Sequence, residues 1–300
     1  MERLQHAGEV VGIVVSHDSA AVLPSCLSAL TANGVPALVV DNASRDGSRD
    51  VARRLGAQVI RNALNQGYGR ANNLGAGASD AAFILVLNPD VVLEEGAVAA
   101  LLDAVGRYPD AGLLAPRIVE PDGRVFLQPR SLLSPYLPNP AGRPLVPEGD
   151  CCVPFLSGAC LLIRRDLFIA LGGFDDSIFL FYEDDDLCRR VADAGHALVH
   201  VDRALARHVR GGSSSPRPGR AFRSRWHLAW SRAYVSAKYD LPRPAPRIFV
   251  VNAAKAILAL FTFRRPVIER YAGSAAGALA FMLGRTALRR EGLSGQPPPR

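Results

Sequence analysis

The chain has 300 residues, of which 49% are hydrophobic, and a formal net charge of +7. This length accommodates one α/β domain of about 200–250 residues and an appended segment. The 22 prolines and 27 glycines follow no short repeat, which excludes collagen-like and solenoid architectures. An apolar run over residues 248–263 contains Lys255 and is shorter than the roughly 20 residues that a membrane-spanning helix needs.

Charge is distributed unevenly along the chain. Residues 1–200 carry a net charge of −8, whereas residues 201–300 carry +15. A basic C-terminal third favours an anionic partner such as a membrane surface, a phosphate-bearing lipid or a nucleic acid. The five cysteines form no CxxC pair, and residues 1–9 contain no apolar signal segment. We therefore expect a reducing, cytoplasmic setting and no structural zinc.

The first 107 residues predict strands that alternate with helices. Strands are expected at 10–15, 37–40, 58–60 and 83–87, and helices at 20–33, 44–55, 67–79 (after a loop) and 94–107. Ser44 is expected to cap the second helix, and acids occupy the predicted first turn of the fourth. Continuously apolar strands indicate a mostly parallel sheet covered on both faces. Ligands of such sheets bind beyond the carboxyl ends of the strands, where Asp41 and Asp90 lie.

The remaining chain is less regular. Residues 116–154 are rich in proline and glycine and predict a long loop with a hairpin near Asp122. Further elements are expected as strands at 156–164 and 197–201 and as helices at 165–171, 183–194, 221–239, 248–263 and 272–290. Residues 211–220 have the composition of a flexible linker, and the final PPPR is expected to be disordered. The predicted division is an α/β domain over 1–214 and a basic, amphipathic helical region over 215–300.

Two turns at predicted strand ends carry candidate ligand-binding residues. The Asp41-Asn42-Ala43-Ser44 turn could accept hydrogen bonds from a nucleobase or ribose, or it could only cap a helix. In Asn88-Pro89-Asp90, the carboxylate could hold a divalent cation that bridges two phosphates. The alternative is that this tripeptide has only a structural role, as an ordinary turn.

An acidic run and one histidine are further candidates. Glu183-Asp184-Asp185-Asp186 lies between apolar residues 179–182 and Leu187. An apolar wall would raise the pKa of one carboxylate toward general-base strength, whereas a solvated helix N-terminus would not. His208 follows the last predicted strand, and imidazole is a common metal ligand. Residues 65–75 contain glycines that permit close backbone approach, yet they match neither a Walker loop nor GxGxxG, which disfavours an NTPase or dehydrogenase.

Taken in order, these motifs resemble the family 2 glycosyltransferases of GT-A fold, and in particular the rhamnosyltransferase-like enzymes of bacterial polysaccharide assembly. The matching segments cover most of residues 10–214. They are VVGIVVSHDS (10–19), LVVDNASRDGS (38–48), RNALNQGYGRANNLG (61–75), FILVLNPDVVL (83–93), FLSGACLLIRRDLFIALGGFDDSIFLFYEDDDLCRRV (155–191) and RHVRGGSS (207–214).

The resemblance implies a role for each matching residue. Asp184 corresponds to the catalytic base, with Glu183 and Asp186 beside it in the catalytic group. Asp90 and His208 correspond to ligands of Mg²⁺ or Mn²⁺, although only the last residue of Asn88-Pro89-Asp90 is acidic. The residues that correspond to the donor site are Ser16, Asp41, Asn42, Arg70, Asn72, Asn88 and Gly158.

The resemblance also implies an inverting transfer from a nucleotide-diphosphate sugar, with dTDP-rhamnose as the first candidate. The implied acceptor is a glycan or a polyprenyl-diphosphate-linked glycan of cell-surface polysaccharide. A cytoplasmic enzyme, peripheral on the inner face of the membrane, would suit such an acceptor. The segment that combines arginines with the interfacial aromatics Trp226, Trp230 and Tyr234 is expected to lie on anionic lipid, and the alternative is a helical cap packed on the catalytic domain.

Three other classes of function compete with this interpretation. A nucleotidyltransferase would need a Gly-rich, basic loop after the first strand, where the chain has Ser16-His17-Asp18-Ser19. A nucleic-acid-binding protein would leave the acidic run without a purpose, and no known nucleic-acid motif is present. The third class is a catalytically inactive relative that binds a sugar nucleotide or serves as a scaffold at the membrane.

Overall fold

The computed structural model describes residues 9–126, 132–133, 146–209 and 218–295. Within these residues the strands are β1 (Val10–Ser16), β2 (Ala37–Asp41), β3 (Gln58–Arg61), β4 (Phe83–Leu87), β5 (Val91–Leu93), β6 (Ala111–Val119), β7 (Val125–Phe126), β8 (Cys151–Cys152), β9 (Cys160–Arg164) and β10 (Ala197–His208). The helices are α1 (Leu23–Ala32), α2 (Ser48–Arg54), α3 (Tyr68–Ala78), α4 (Ala97–Arg107), α5 (Arg165–Ala170), α6 (Glu183–Asp193), α7 (Arg220–Lys238), α8 (Ala245–Leu260), α9 (Arg265–Met282) and α10 (Ala287–Arg290).

The strands form one mixed sheet in the order β3-β2-β1-β4-β9-β6-β10-β5. The first four of these strands are parallel, and β10 is parallel to β6. The prediction of an α/β fold with a mostly parallel sheet is confirmed. Strand β9 departs from it, because it runs antiparallel to both β4 and β6. This reversal brings the start of β9 beside the carboxyl end of β4.

The core forms where the apolar strands meet helix α1. Val14, Val39 and Leu85 are fully buried in this core, as the continuous hydrophobic runs of their strands predict. Gly12 allows α1 to approach β1, because an added Cβ there would lie 2.9 Å from the Leu30 side chain. The sheet therefore presents its strand ends from a rigid support.

Several predicted boundaries are corrected by the structure. Ser44 does not cap a helix, because α2 begins at Ser48 and the Ser44 hydroxyl instead accepts the Asp18 N–H at 3.0 Å. Helix α4 begins at Ala97 after Gly96, whose φ of 79° is left-handed, so its first turn has no acid.

Several strands and one helix also differ from their predicted extents. Strands β5, β6 and β8 were not predicted, and residues 116–119 of β6 and both residues of β8 lie in the predicted loop. Strand β10 continues to His208 rather than ending at residue 201. The predicted helix 272–290 is interrupted after Met282, and α10 begins at Ala287. The hairpin predicted near Asp122 is confirmed by the antiparallel pairing of β7 with β6.

The chain divides into two compact units. One contains the described residues within 1–65, 70–174 and 184–215, and the other contains those within 66–69, 175–183 and 216–300. The domain boundary predicted at 214/215 stays a prediction. Residues 211–217 of the predicted linker and the final PPPR lie outside the described residues.

Helix α9 packs against both α7 and α8 in the second unit, and three aromatic side chains of α7 are buried in this unit. Trp226, Trp230 and Tyr234 are buried there, so the prediction that these aromatics lie on lipid is wrong. The Trp230 ring stacks on Tyr234, and its Nε1–H donates to the Arg285 carbonyl at 2.7 Å. Gly273 on α9 makes this packing possible, because a Cβ at that position would collide with the Phe222 carbonyl of α7.

Segment 175–183 is attached to α7 by polar and aromatic contacts within the second unit. Asp175 accepts hydrogen bonds from Lys238 Nζ at 2.6 Å and from the Tyr234 hydroxyl at 3.0 Å. Phe179 stacks on His227 with ring centroids 4.5 Å apart. In the described ranges, the hydropathy and length of every helix fall short of those needed to cross a bilayer.

Candidate active site

The first part of the site lies at the carboxyl ends of β1 and β2. Ser16 and Asp41 pair in register, and the Asn42 N–H donates to the Ser16 carbonyl at 2.7 Å. Asp41 is buried, with Arg49 Nε 3.5 Å from its Oδ2. The Ser16 hydroxyl is also buried and has no hydrogen-bond partner among the described residues. Polar atoms of Ser16 and Asp41, both predicted to belong to the binding site of the sugar donor, therefore lie together at one edge of the sheet.

The loops that follow these two strands are cross-linked. Asp18 Oδ1 accepts the Arg45 N–H at 2.7 Å, and the Ser19 N–H donates to the Ser48 hydroxyl at 2.9 Å. The Ala20 N–H donates to Asp46 Oδ2 at 3.0 Å. These bonds hold the β1–α1 loop against the β2–α2 loop.

Three asparagines form a chain beside this edge. Asn62 Nδ2 donates to Asn42 Oδ1 at 3.0 Å, and Asn42 Nδ2 donates to Asn65 Oδ1 at 2.9 Å. Both ends of the Asn42 amide are therefore fixed. The role of Asn62 was missed in the sequence, where nothing distinguishes it from a loop residue. Arg70 and Asn72, also predicted for the donor site, lie on α3, and Asn72 is fully buried.

The Asn88-Pro89-Asp90 turn connects β4 to β5. The Asn88 N–H donates to the Ala159 carbonyl at 2.9 Å, and the Val91 N–H donates to the Asn88 carbonyl at 3.1 Å. The Asp90 carbonyl accepts the Val209 N–H at 2.9 Å, which attaches the turn to the end of β10. This arrangement brings Asp90 and His208 together across 118 positions of sequence.

Asp90, His208 and Glu120 form a cluster in which the two carboxylates are buried and the imidazole is partly buried. His208 Nε2 lies 3.4 Å from Asp90 Oδ1, and His208 Nδ1 lies 3.8 Å from Glu120 Oε1. Among the described residues, Asp90 Oδ1 and His208 Nδ1 have no hydrogen-bond partner. A carboxylate and an imidazole with unsatisfied buried atoms are suitable donors for a divalent cation. Within the described ranges, no group of three or more His, Cys, Asp and Glu is arranged to hold a metal.

Glu120 was not among the predicted site residues. It follows β6 directly and begins the hairpin to β7. Its sequence neighbourhood has no motif, and only the pairing of β6 with β10 brings it to His208. Glu120 Oε1 is beyond hydrogen-bond distance of His208 Nδ1 and adds a nearby negative charge to the cluster.

Asp184 lies in the first turn of α6. Its Oδ2 accepts the Gly158 N–H at 3.0 Å, and its Oδ1 accepts the Asp185 N–H at 3.0 Å. Its side chain is partly exposed, whereas Glu183, Asp185 and Asp186 are buried. Desolvation raises the pKa of Asp184 overall, although the two N–H donors oppose the shift. The sequence interpretation of an acid with a raised pKa is consistent with this environment.

Asp186 has a different environment. It is fully buried and pairs with Arg190 across one helical turn at 2.8 Å. Arg190 also donates to the carbonyls of Leu171 and Gly173, each at 2.7 Å. The Asp186 carboxylate therefore joins α6 to the segment after α5. A solvated helix N-terminus, the bland interpretation of the acidic run, is excluded by the burial of three of its four acids.

The residues before α6 have an unusual backbone. Phe181 and Tyr182 are consecutive non-glycine residues with φ of 70° and 67°. Bulky side chains rarely adopt the left-handed region, and each such residue costs about 1–3 kcal/mol. The sequence contains no glycine here that would signal the turn.

Residues 13–172 match the family model described as "Glycosyl transferase family 2". The chain is also 36% identical over 221 residues to the N-acetylglucosaminyl-diphospho-decaprenol L-rhamnosyltransferase of Mycobacterium tuberculosis (strain ATCC 25618 / H37Rv). That match covers 64% of this chain and 72% of the relative. The chain belongs to glycosyl transferase family 2. The predicted resemblance is thereby confirmed, and the protein is a glycosyltransferase rather than a nucleotidyltransferase or a nucleic-acid-binding protein.

Two further comparisons extend this assignment. Rhamnosyltransferase WbbL of Escherichia coli (strain K12) is 26% identical to this glycosyltransferase over 190 residues, which cover 57% of this chain and 71% of WbbL. The solved structure of mannosyltransferase PcManGT from Pyrobaculum calidifontis, in complex with GDP-Man and Mn²⁺, superposes with a TM-score of 0.57 at 15% identity. That superposition covers 91% of this chain and 86% of PcManGT. The predicted GT-A fold is confirmed.

Proposed function

We propose that this glycosyltransferase moves rhamnose from a nucleotide-diphosphate donor, with dTDP-rhamnose as the first candidate, to a lipid-linked glycan during cell-surface polysaccharide assembly. The sugar and the acceptor are supported by the two rhamnosyltransferases that it resembles, one of which is named for a diphospho-decaprenol acceptor. The observation that carries the proposal is Asp184, a partly exposed carboxylate with a raised pKa at a sheet edge that also bears Asp41 and Asp90.

In this proposal, Asp184 is the general base of a single displacement. An acceptor hydroxyl oxygen forms a bond to the anomeric carbon while its proton passes to the Asp184 carboxylate. The bond from that carbon to the diphosphate oxygen breaks, and the nucleoside diphosphate leaves with the electron pair. Attack from the face opposite the leaving group inverts the configuration. A base with a raised pKa removes a proton more effectively near neutral pH, as long as the carboxylate remains ionised. The N–H donors of Gly158 and Asp185 favour that ionised form.

The donor would bind along the carboxyl ends of β1, β2 and β4. The Asp41 carboxylate can accept a hydrogen bond from an N–H of the nucleobase, and the free Ser16 hydroxyl can donate to the nucleoside. The Asn42 amide, held by Asn62 and Asn65, would orient the same end of the donor. The remaining proposed donor contacts are Arg70, Asn72, Asn88 and Gly158.

Asp90 and His208 are the residues that would hold a divalent cation, Mg²⁺ or Mn²⁺. Such an ion, when bound, neutralises the charge of the diphosphate leaving group. Two protein ligands would leave coordination positions for phosphate oxygens. The complex of PcManGT with Mn²⁺ supports a cation in an enzyme of this fold.

Glu183 and Asp186 would support the base rather than exchange protons. Asp186 holds Arg190, and through it the segment after α5, so its carboxylate is committed to an ion pair. Glu183 begins α6 and is buried. Both acids would fix the position of Asp184. We place the enzyme on the cytoplasmic face of the membrane, where a lipid-linked acceptor would present its glycan.

The proposal is tested by measuring donor binding and nucleotide release with dTDP-rhamnose, UDP-glucose, UDP-galactose, UDP-N-acetylglucosamine and GDP-mannose, with and without Mn²⁺. We expect dTDP-rhamnose to bind, and Asp184→Asn to keep that binding while turnover falls about 10²–10⁴-fold. Asp166→Asn, an exposed acid on α5, is the matched control and should retain turnover. If the unmodified enzyme binds a donor but releases no nucleotide with any lipid-linked acceptor, the inactive-relative alternative replaces this one.

A further inference from the structure

The second compact unit exposes large apolar side chains at the end of α8 and in the turn to α9. We name Ile257, Leu258, Phe261 and Phe263, together with Arg264 and Arg265, the α8–α9 edge. Phe261 is 77% exposed and Phe263 is 92% exposed. Aromatic side chains normally contribute to stability by burial, so neither ring contributes in this way to the fold. An exposed apolar cluster of this kind marks an interaction surface.

The backbone at Phe263 supports the same conclusion. Its φ of 53° lies in the left-handed region, which a bulky side chain rarely adopts. The Thr262 hydroxyl donates to the Ala259 carbonyl at 2.7 Å and accepts the Arg264 N–H at 3.3 Å, which stabilises the turn. An asparagine would fit this conformation with less strain. The strained backbone at Phe263 therefore holds its side chain outward, and burial of the ring within the described fold does not offset the free-energy cost of that strain.

Cations predominate around the edge. The sequence from Leu241 to Ile268 contains no aspartate or glutamate, and Glu269, the next residue, pairs with Arg265. The cations of this range are Arg243, Arg247, Lys255, Arg264 and Arg265. Apolar side chains mixed with an excess of cations are complementary to a surface that is both apolar and anionic.

Helix α8 continues this surface toward its N-terminus. Arg247, Val250, Ala254 and Leu258 recur at spacings of three and four residues and are all exposed, so they share one face. The helix has 16 residues, which is about 24 Å of length, and it is too short and too polar to cross a bilayer. A helix with these properties lies in the plane of a membrane interface.

A shallow cleft of about 530 Å³ adjoins the edge at the starts of α7 and α9. Its lining includes Arg220, Ser224, Arg265 and Glu269. Arg265 pairs with Glu269 at 2.8 Å and is itself exposed, so its guanidinium can reach an anion at the surface. Guanidinium groups bind phosphate well because their donors match its oxygens.

We propose that the α8–α9 edge inserts into the interfacial layer of an anionic lipid bilayer, with Phe261 and Phe263 among the upper acyl chains and Arg264 and Arg265 at the phosphates. A second copy of the chain is a poorer occupant. In a two-fold dimer this face would meet itself and oppose its own cations. The inference rests on the proposed function only for the purpose of membrane binding, which is to bring the enzyme to a lipid-linked acceptor.

The test is co-sedimentation of the full chain with vesicles of phosphatidylglycerol and phosphatidylcholine, and with vesicles of phosphatidylcholine alone. We expect binding to the anionic vesicles that weakens at higher salt. The double variant Phe261→Gln/Phe263→Asn should bind at least about tenfold more weakly, because two buried aromatic contacts with lipid are lost. Arg264→Gln/Arg265→Gln should weaken binding about fivefold or more for each charge.

Matched controls come from the first unit. Ile169 is an exposed apolar residue of α5, and Arg53 is an exposed arginine of α2. Ile169→Gln and Arg53→Gln should bind vesicles as the unmodified chain does. Circular dichroism should show that Phe261→Gln/Phe263→Asn is folded and no less stable, since asparagine relieves the left-handed strain.

Depth of insertion gives a second readout. With brominated lipids, Phe263→Trp should be quenched and Ile169→Trp should not. The proposal is overturned if the unmodified chain does not bind anionic vesicles, or if the variants of the α8–α9 edge bind these vesicles as well as the control variants do. It is also overturned if size-exclusion chromatography shows a dimer that only the Phe261→Gln/Phe263→Asn change dissociates. Vesicle binding without turnover of any donor would refute the proposed function alone.

Discussion

The backbone N–H of Gly158 donates a hydrogen bond to Oδ2 of Asp184 at 3.0 Å, and a side chain added at position 158 would crowd Asp184. A Cβ there would lie 3.2 Å from Asp184 Cβ and 3.4 Å from Oδ2. Gly158 belongs to the segment that enters β9, and Asp184 belongs to α6. The antiparallel strand β9 therefore determines where the proposed base lies.

Gly158→Ala should lower kcat about tenfold to a hundredfold, because a small displacement of a catalytic group is costly. The substitution also weakens an N–H donor that favours the ionised carboxylate, so the pKa of Asp184 should rise further. Rate measurements across pH would detect both effects. Gly149→Ala is the matched control, since nothing lies within 4 Å of its added Cβ. Equal behaviour of the two variants would refute the positioning role.

The pH dependence of kcat/KM should show an acidic limb that belongs to Asp184. Burial raises the pKa of this carboxyl above its ordinary value of 3.8, so it takes up a proton at a higher pH than a solvated aspartate. Activity is therefore full above the raised pKa and is lost as the pH falls through it. Circular dichroism at each pH separates this loss from unfolding. A limb at or below 3.8 would contradict the assignment.

Cation binding should depend on both members of the Asp90–His208 pair. In titrations of Mn²⁺ followed by electron paramagnetic resonance with a nucleoside diphosphate present, Asp90→Asn and His208→Ala should each weaken binding at least about tenfold. Glu120→Gln should have a smaller effect in the same direction, because Glu120 lies behind His208. His196→Gln, a partly exposed histidine outside the cluster, should bind Mn²⁺ normally. Unchanged binding in His208→Ala would remove it as a ligand.

Asp186→Asn should destabilise the fold by about 2–3 kcal/mol, because it leaves Arg190 without its buried partner. Urea denaturation would show a lower midpoint with a similar slope. The control is Asp193→Asn, which breaks an exposed pair with Arg189 on the same helix and should change little. If Asp186→Asn kept full stability but lost turnover, Asp186 would have a direct role in the reaction.

The parallel strands β1, β2, β3 and β4 were predictable because their apolar runs are continuous, whereas the nine-residue β6 was missed because its second half lies in a stretch whose prolines and glycines predict a loop. Strand β4 coincides with its prediction at 83–87, and β1 and β2 extend theirs by a single residue. Periodicity carries no strand direction, so the antiparallel course of β9 was not predictable. Strand β5 has only three residues, which is too short for a pattern to emerge. The contact between Glu120 and His208 depends on the pairing of β6 with β10, which is a property of topology.

The second unit was predicted less well because the sequence of a helix rich in aromatic residues does not indicate which of its faces is buried. Trp226 and Trp230 suit a membrane interface as well as a protein core, and only the packing of α9 on α7 decides between them. Gly273 and Gly277 on α9 admit the α7 backbone closely, which leaves no room for lipid at those rings. The residues that remain outside are Phe261 and Phe263, in a turn that the sequence pattern had assigned to a continuous helix.

The cross-links between the loops after β1 and β2 have a consequence for binding energetics. Asp18, Ser19 and Ala20 are joined to the opposite loop by hydrogen bonds that form when the chain folds, before any ligand arrives. The conformational entropy of these loops is thus lost during folding and need not be lost again on association. A nucleotide that binds between Ser16 and Asp41 would meet a rigid receptor. The enzyme would then discriminate among nucleobases by how well each base fits the preformed site, rather than by closure of the loops around it.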